Sequence, residues 1–163
     1  MRIKCYIDTN VLIYAILHHS KYGKHCEDIL KAVEKAEIIG FGSDMVAIEL
    51  LGALSKISTK AAKLAVEAYY SLNIIHFRIS PMVLSLASLI NEIVNIRYDA
   101  VHLAIMMLNG VDNIITYDLD DWRKAESNYL KIKDEARGFN IKSKSLNVFT
   151  PEEILNLINK KKR

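Results

Sequence analysis

Four acidic residues have the type and spacing needed to bind a divalent cation, and each lies in or beside an apolar segment. They are Asp8, Glu49, Asp99 and Asp118. A lone carboxylate in apolar surroundings is costly unless it is paired or bound to a metal. A cluster of like charges does not stay ionised unaided, and a divalent cation resolves the repulsion. The sequence therefore predicts an acidic metal site, provided that the fold brings the four residues together.

Two of these acids follow segments that are predicted to be strands. Asp8 ends the apolar run 2–7, and Asp118 comes shortly after the apolar run 113–116. If both runs belong to one parallel sheet, both carboxylates emerge at the carboxyl ends of strands. That edge is where open α/β sheets bind their ligands.

The other two acids are predicted to lie on helices. Residues 44–57 carry an apolar stripe at helical spacing, and Glu49 falls within that stripe and points inward. Asp99 precedes the almost wholly apolar segment 100–108, in the first turn, where the helix dipole favours an anion. The simpler alternatives are a Glu49 that reaches solvent from the edge of the stripe and an Asp99 that only caps its helix.

Three further residues near the acids leave their roles open. His102 comes three residues after Asp99 on the same helical face, so it either supports the site or is a buried histidine satisfied by the backbone, which the sequence favours. Asp120 and Asp121 compete with Asp118 for a functional role, and one of them is a candidate cap for the next helix.

The whole chain has the composition of an ordinary folded domain. Its 163 residues favour one domain, and 51% hydrophobic residues are enough for a proper core. Two cysteines make no disulfide framework and fit the cytoplasm, and no apolar run is long enough to span a membrane. Residues 1–121 carry a net charge of −3 and residues 122–163 one of +6, an arrangement that suits a polyanion such as RNA.

Strand-like and helix-like patterns alternate, which is typical of a parallel α/β sheet. Helix caps are predicted at Thr59, at Ser80 before Pro81, and at Thr150. Between 122 and 145 we find no clean period and predict a short helix with a long basic loop at about 125–145, and the tail 160–163 is basic. Strands are expected at about 2–7, 37–41, 73–77, 113–116 and 146–149, and helices at about 11–16, 23–35, 44–57, 59–70, 81–95 and 98–108.

The order of these motifs resembles the PIN-domain ribonucleases, including the VapC-like toxins of toxin–antitoxin pairs. The resemblance rests on five segments and spans nearly the whole chain. They are Ile7-Asp-Thr-Asn-Val-Leu-Ile13, Ala47-Ile-Glu-Leu50, Tyr98-Asp-Ala-Val-His-Leu-Ala104, Ile115-Thr-Tyr-Asp118 and Val148-Phe-Thr-Pro-Glu-Glu-Ile154. One departure is that Trp122 comes one residue later than the aromatic residue of the family's fourth motif.

The resemblance implies a single PIN-like domain over residues 1–163, with a five-stranded parallel sheet flanked by helices. It also implies hydrolysis of RNA phosphodiester bonds with Mg²⁺ or Mn²⁺, which prefer oxygen ligands. Asp8 and Asp99 are the strongest expected ligands, while Glu49 and Asp118 complete the site or orient water. Two further residues are expected to hold the water or a carboxylate by hydrogen bonds, namely Thr116 and Asn10. Expected partners are RNA, a small antitoxin that brings an Arg into the pocket, and a second copy of the chain.

Other functions remain compatible with the same residues. A housekeeping RNA-processing nuclease carries the same acids, and a PIN-fold module that binds RNA without cutting it keeps the same fold. An aspartyl phosphohydrolase would use Asp8 as a nucleophile, although Asn10 stands where that class wants a second Asp. Five basic residues are expected to follow an RNA backbone, namely Lys131, Lys133, Arg137, Lys142 and Lys144.

Overall fold

A computed structural model describes residues 2–161, with the backbone alone for Lys161, so the predicted basic tail lies largely outside the described residues. Five strands form one parallel sheet in the order β3-β2-β1-β4-β5. This confirms the predicted sheet. The strands are β1 (Ile3–Ile7), β2 (Ile38–Ser43), β3 (Ile74–Phe77), β4 (Asn113–Ile115) and β5 (Asn147–Phe149).

Helices connect and flank the strands, as the alternating pattern predicted, and the α/β class is confirmed. Within the described residues they are α1 (Thr9–Ile16), α2 (Gly23–Glu34), α3 (Asp44–Ser55), α4 (Thr59–Ser71), α5 (Pro81–Val94), α6 (Asp99–Asn109), α7 (Leu119–Ser127), α8 (Tyr129–Glu135) and α9 (Pro151–Lys161). None of the helices in this part of the chain is both long enough and apolar enough to cross a lipid bilayer.

Strand β1 lies at the centre of the sheet, between β2 and β4. Its last three residues, Cys5 to Ile7, are fully buried, as expected for a parallel strand that is covered on both faces. Both cysteines, Cys5 and Cys26, are free and buried. Asp8, which directly follows β1, therefore lies at the middle of the sheet's carboxyl edge.

The segment 122–145 differs from its prediction, because it contains two helices where a short helix and a long loop were expected. Helices α7 and α8 occupy 119–135, and irregular chain follows only from 136. The buried residues do follow a helical period of three and four, which the many charged neighbours obscured. They are Trp122, Ala125, Tyr129, Ile132 and Ala136.

Most predicted helix ends agree with the structure. Ser80 caps α5, which begins at Pro81, and the backbone and side chain of Thr150 exchange hydrogen bonds with Glu153 in a capping box. The predicted cap at Thr59 is wrong. Ser58 caps that helix by accepting a hydrogen bond from the backbone of Ala61, and Thr59 is its first helical residue.

Candidate active site

Asp8 lies at the carboxyl end of β1, is 4% exposed, and caps α1. Its Oδ1 accepts a hydrogen bond of 2.7 Å from the backbone of Thr9. Its Oδ2 accepts two more, of 2.6 Å from the Thr116 hydroxyl and 2.7 Å from the Asn10 amide. Burial raises the pKa of Asp8 even so, because these hydrogen bonds and the nearby His102 only partly offset the loss of water.

Thr116 and Asn10 join the end of β4 to this carboxylate. The Asn10 amide donates to the Thr116 hydroxyl over 2.9 Å, and its carbonyl accepts a hydrogen bond from the backbone of Tyr117 over 3.1 Å. The Thr116 hydroxyl also accepts from the backbone of Asp118 over 2.9 Å. Both residues predicted to support a carboxylate therefore contact Asp8 directly and fix the turn that leads to Asp118.

Glu49 reaches the same place from the second turn of α3, and its side chain is 27% exposed. Its Oε2 accepts a hydrogen bond of 3.0 Å from His102 Nε2 and a short one from the Thr9 hydroxyl. Burial opposes ionisation of this carboxyl, but the hydrogen bonds and the charge of His102 outweigh it and lower the pKa. The predicted inward orientation of Glu49 is what brings it beside Asp8.

His102 is fully buried in α6, and its partners differ from the predicted ones. The sequence favoured a histidine satisfied by the backbone, but both ring nitrogens bond to side chains. Nε2 contacts Glu49, and Nδ1 lies 2.8 Å from the hydroxyl of Tyr6 in β1. The pKa of His102 is raised despite burial, because the carboxylates of Glu49, Asp8 and Asp99 favour its charged form. The helical spacing from Asp99 was the one sequence signal for this role.

Asp99 occupies the first turn of α6, as predicted, and is half-buried. Burial raises the pKa of its carboxyl to about 8, with further contributions from the negative charges of Asp8, Asp118 and Glu49. Burial is the larger cause, and the like charges add to it because four carboxyls share one region with a single histidine to offset them. Binding of a cation would remove this conflict.

Asp118 is the most exposed of the four acids. It stands at the N-terminal end of α7 but makes no capping hydrogen bond with its side chain, while Asp120 and Asp121 lie in the first turn of that helix. Partial burial raises the pKa of Asp118, and the charges of Asp8, Asp121 and Asp120 add to the effect. The negative charge of Asp118 therefore acts on the site, where it helps to raise the pKa of Asp99. Its two acidic neighbours, Asp120 and Asp121, belong to the first turn of α7.

The tightest cluster of possible metal-binding groups in the described chain consists of Asp8, Glu49 and His102. One ligand atom from each lies within 4.8 Å of the other two. Asp99 and Asp118 stand outside this set, but the negative charge of Asp8 helps to raise the pKa of both. The donors are mainly carboxylate oxygens, the type that Mg²⁺ and Mn²⁺ prefer, so the residues fit such an ion.

Aromatic residues near the site are already packed. Trp122 is fully buried, which confirms packing over base stacking for this residue. Tyr117, between Thr116 and Asp118, has its ring centroid 4.2 Å from that of Tyr22. These contacts make one wall of the site rigid.

Two of the predicted basic residues, Lys142 and Lys144, lie toward the opposite end of the sheet. The backbone of Lys144 bonds to Asp112, which lies just before β4 begins. Asp8 and Thr116, by contrast, lie just after the ends of β1 and β4 respectively. Gly110, at the far end of α6 from Asp99, lies beside Lys142. The length of α6, about 16 Å for its 11 residues, therefore lies between these two regions.

The family model of the PIN domain matches residues 5–128. The chain belongs to the PIN domain family. The match includes the first four motifs of the sequence comparison and all four acids, so the predicted family is confirmed. The last motif, 148–154, lies beyond the matched residues, and that residues 1–163 form one domain remains a prediction.

Solved structures with the same fold support the family's architecture. A toxin–antitoxin complex from Klebsiella pneumoniae has a chain with 19% identity and a TM-score of 0.52, over 72% of this chain and 89% of that one. VapBC2 from Rickettsia felis, bound to a DNA fragment from its promoter, has a chain with 13% identity and a TM-score of 0.60, over 91% of this chain and 98% of that one. Among curated proteins no significant match was found.

Proposed function

We propose that this PIN domain protein is a metal-dependent endoribonuclease that hydrolyses RNA phosphodiester bonds. The observation that carries the proposal is the convergence of Asp8 and Glu49 at one buried point, with Asp99 crowded beside them at a pKa of about 8. Membership of the PIN family supports a nuclease, and a buried acidic cluster of this kind supports a bound cation.

The predicted ligands are Asp8, Glu49, Asp99 and Asp118, which would hold Mg²⁺ or Mn²⁺. When bound, such an ion activates water and stabilises the leaving 3′ oxygen. The protein's own part is to supply four oxygen-bearing groups and to exclude bulk water, since Asp8 is almost wholly buried. Asp118, the most exposed of the four acids, would lie nearest to the bound RNA.

Thr116 and Asn10 hold Asp8 in a single orientation. Both donate to the same oxygen, Oδ2, and the backbone of Thr9 donates to the other. A carboxylate fixed in this way binds a cation without first paying the entropy of being ordered. We therefore assign Thr116 and Asn10 to orientation of Asp8, in agreement with their predicted role.

Cleavage of a labelled structured RNA pool with Mg²⁺, with Mn²⁺ and with EDTA tests the proposal. Wild type and Asp8→Asn are purified identically, so that contaminating ribonuclease appears in both. We expect metal-dependent cutting by the wild type alone. If a correctly folded wild type without bound inhibitor cuts nothing, but still binds RNA in EDTA, the protein is an RNA-binding module.

We further propose that the protein is a VapC-like toxin with a small antitoxin as partner. The two structural neighbours named above are toxin–antitoxin complexes, which motivates the assignment. An uncovered apolar groove between α3 and α4 offers a surface for such a partner, because Ile48 and Leu51 are more than half exposed there. Co-purification with a small protein encoded next to this one would separate a toxin from a housekeeping RNA-processing nuclease.

A homodimer in the cytoplasm completes the proposal. Met82 on α5 and Tyr98 before α6 are both more than half exposed, and we assign them to the contact between the two copies. Light scattering of the purified chain tests the dimer, and a monomer at micromolar concentration would contradict it.

A further inference from the structure

A chain of hydrogen bonds between buried side chains runs from the end of β2 to the carboxylate of Glu49. The hydroxyls of Ser43 and Tyr6 are 2.5 Å apart, the Tyr6 hydroxyl is 2.8 Å from His102 Nδ1, and His102 Nε2 is 3.0 Å from Glu49 Oε2. Ser43, Tyr6 and His102 are fully buried. Such a buried network stabilises only the one geometry in which all its members are paired.

The chemistry of the last link fixes where the proton on His102 lies. An ionised carboxylate only accepts hydrogen bonds, so Nε2 carries the hydrogen and donates it to Glu49. Nδ1 is engaged with the Tyr6 hydroxyl, whichever of the two donates. Both ring nitrogens of His102 are therefore occupied. Although His102 lies within 4.8 Å of Asp8 and Glu49, it has no free lone pair for a metal ion.

The other end of this series of hydrogen bonds is Ser43, whose side chain does not cap its helix. Ser43 stands at the N-cap of α3, where a serine commonly accepts a backbone hydrogen bond, yet its side chain makes none and turns to Tyr6. Its carbonyl accepts a hydrogen bond of 3.0 Å from the Tyr69 hydroxyl. At Gly42 a Cβ would lie 2.2 Å from that hydroxyl, so glycine is required for this approach.

This series of hydrogen bonds connects β1, α3 and α6, the elements that precede or carry Asp8, Glu49 and Asp99. Tyr6 lies on β1, two residues before Asp8, and His102 lies on α6, one turn after Asp99. Glu49 and Ser43 belong to α3 and its cap. The hydrogen bonds thus link the cap of α3 to β1, β1 to α6, and α6 back to α3. Apolar contacts alone tolerate small shifts between such elements, whereas this closed path does not.

We infer that Tyr6 and His102 are positioning residues, which hold the Glu49 carboxylate against Asp8 and Asp99 in the geometry that a divalent cation needs. The inference rests on the proposed function, because it concerns the same site. Both of these donors, the Thr9 hydroxyl and His102, converge on Oε2, so the other oxygen, Oε1, is the one we assign to the cation. Loss of a group that orients a metal ligand commonly weakens metal binding by about 10- to 100-fold.

The test is Mn²⁺ binding by isothermal titration calorimetry to wild type, Tyr6→Phe and Tyr129→Phe. Tyr129 is the matched control, since its hydroxyl makes an equally short 2.5 Å bond to a buried serine, Ser143, away from the acids. Both variants lose one buried hydroxyl and are expected to show similar falls in melting temperature. We expect the Mn²⁺ Kd to rise about tenfold in Tyr6→Phe alone.

A second readout does not depend on metal or activity. In metal-free protein, long-range ¹H–¹⁵N spectra of the histidine rings report the state of His102, and Tyr6→Phe is expected to shift its Nδ1 signal but leave Nε2 protonated. If Tyr6→Phe does not fold, Ser43→Ala replaces it, with a weaker Mn²⁺ affinity expected because the Tyr6 hydroxyl then loses one of its two partners and keeps only His102.

The outcomes separate the inference from the proposed function. Wild type that binds no Mn²⁺, or binds it as tightly after Asp8→Asn, contradicts the metal site and with it the proposed function. Binding that depends on Asp8 but is equal in wild type, Tyr6→Phe and Ser43→Ala overturns only the positioning role. Abolished binding in His102→Gln with unchanged binding in Tyr6→Phe identifies His102 as a ligand and also overturns it.

Discussion

The Thr116 hydroxyl donates a hydrogen bond of 2.6 Å to Asp8 Oδ2, and so ties the end of β4 to the acid that follows β1. Both residues are buried, and the same hydroxyl accepts hydrogen bonds from Asn10 and from the backbone of Asp118. One threonine thereby links the carboxylate to the turn that presents the fourth acid.

Thr116→Val removes this hydrogen bond while keeping the shape of the side chain. A buried hydrogen bond to a charged group contributes about 1.5–3 kcal/mol, so the free energy of unfolding in urea should fall by roughly that amount. RNA cleavage should fall with it, because Asp8 loses one of its two donors at Oδ2. Thr116→Ser keeps the hydroxyl and is the control. Equal loss of activity in both variants would contradict the role given to the hydroxyl.

The metal-free protein should lose stability as the pH rises from about 4 to about 8. In this window the folded chain holds a proton on Asp99, whose pKa is about 8, while the unfolded chain has released it from a carboxyl of ordinary pKa near 4. The folded state binds more protons, so the free energy of unfolding falls with pH. Denaturation in EDTA at several pH values measures the slope, which Asp99→Asn should flatten. An identical slope in the variant would show that Asp99 titrates normally.

Mn²⁺ should raise the melting temperature, and by more at pH 8 than at pH 6. A ligand at 100 times its Kd stabilises the folded state by about 2.7 kcal/mol, which for a protein of this size is roughly 5–10 °C. The increase with pH follows because the Asp99 proton must leave before a cation binds. Asp8→Asn should lose most of the shift. Thermal shift assays with and without Mn²⁺ measure it, and an equal shift in the variant would place the ion elsewhere.

Replacing Lys131, Lys142 and Lys144 with Ala should weaken RNA binding and flatten its dependence on salt. All three are exposed, and each phosphate contact that is lost reduces the slope of log K against log salt by nearly one. Lys133 and Arg137 are kept, because they already contact Ser143 and Asp134. The control triple is Lys35, Lys56 and Lys60, which are exposed in or directly after other helices. If both triples have the wild-type slope, RNA does not follow the basic segment.

The sequence by itself determined the sheet and the identity of the acids. Alternating strand-like and helix-like patterns predict a parallel sheet, in which the ends of two strands place acids at one edge, and Asp8 and Asp118 do follow β1 and β4. Helical spacing predicted the inward orientation of Glu49 and the first-turn position of Asp99, because both depend on local periodicity alone. The period through Trp122 and Ala125 was also present, but charged neighbours concealed it.

Only the tertiary structure decided what holds the acids in place. Tyr6 and His102 are 96 residues apart, and nothing local distinguishes a tyrosine in a buried strand from a core residue. The same holds for Ser43, which occupies the N-cap position of α3 but bonds to Tyr6 instead. Periodicity predicts which face of an element is buried. It does not give the rotation and axial position of one element against another, and those quantities decide which buried polar groups meet.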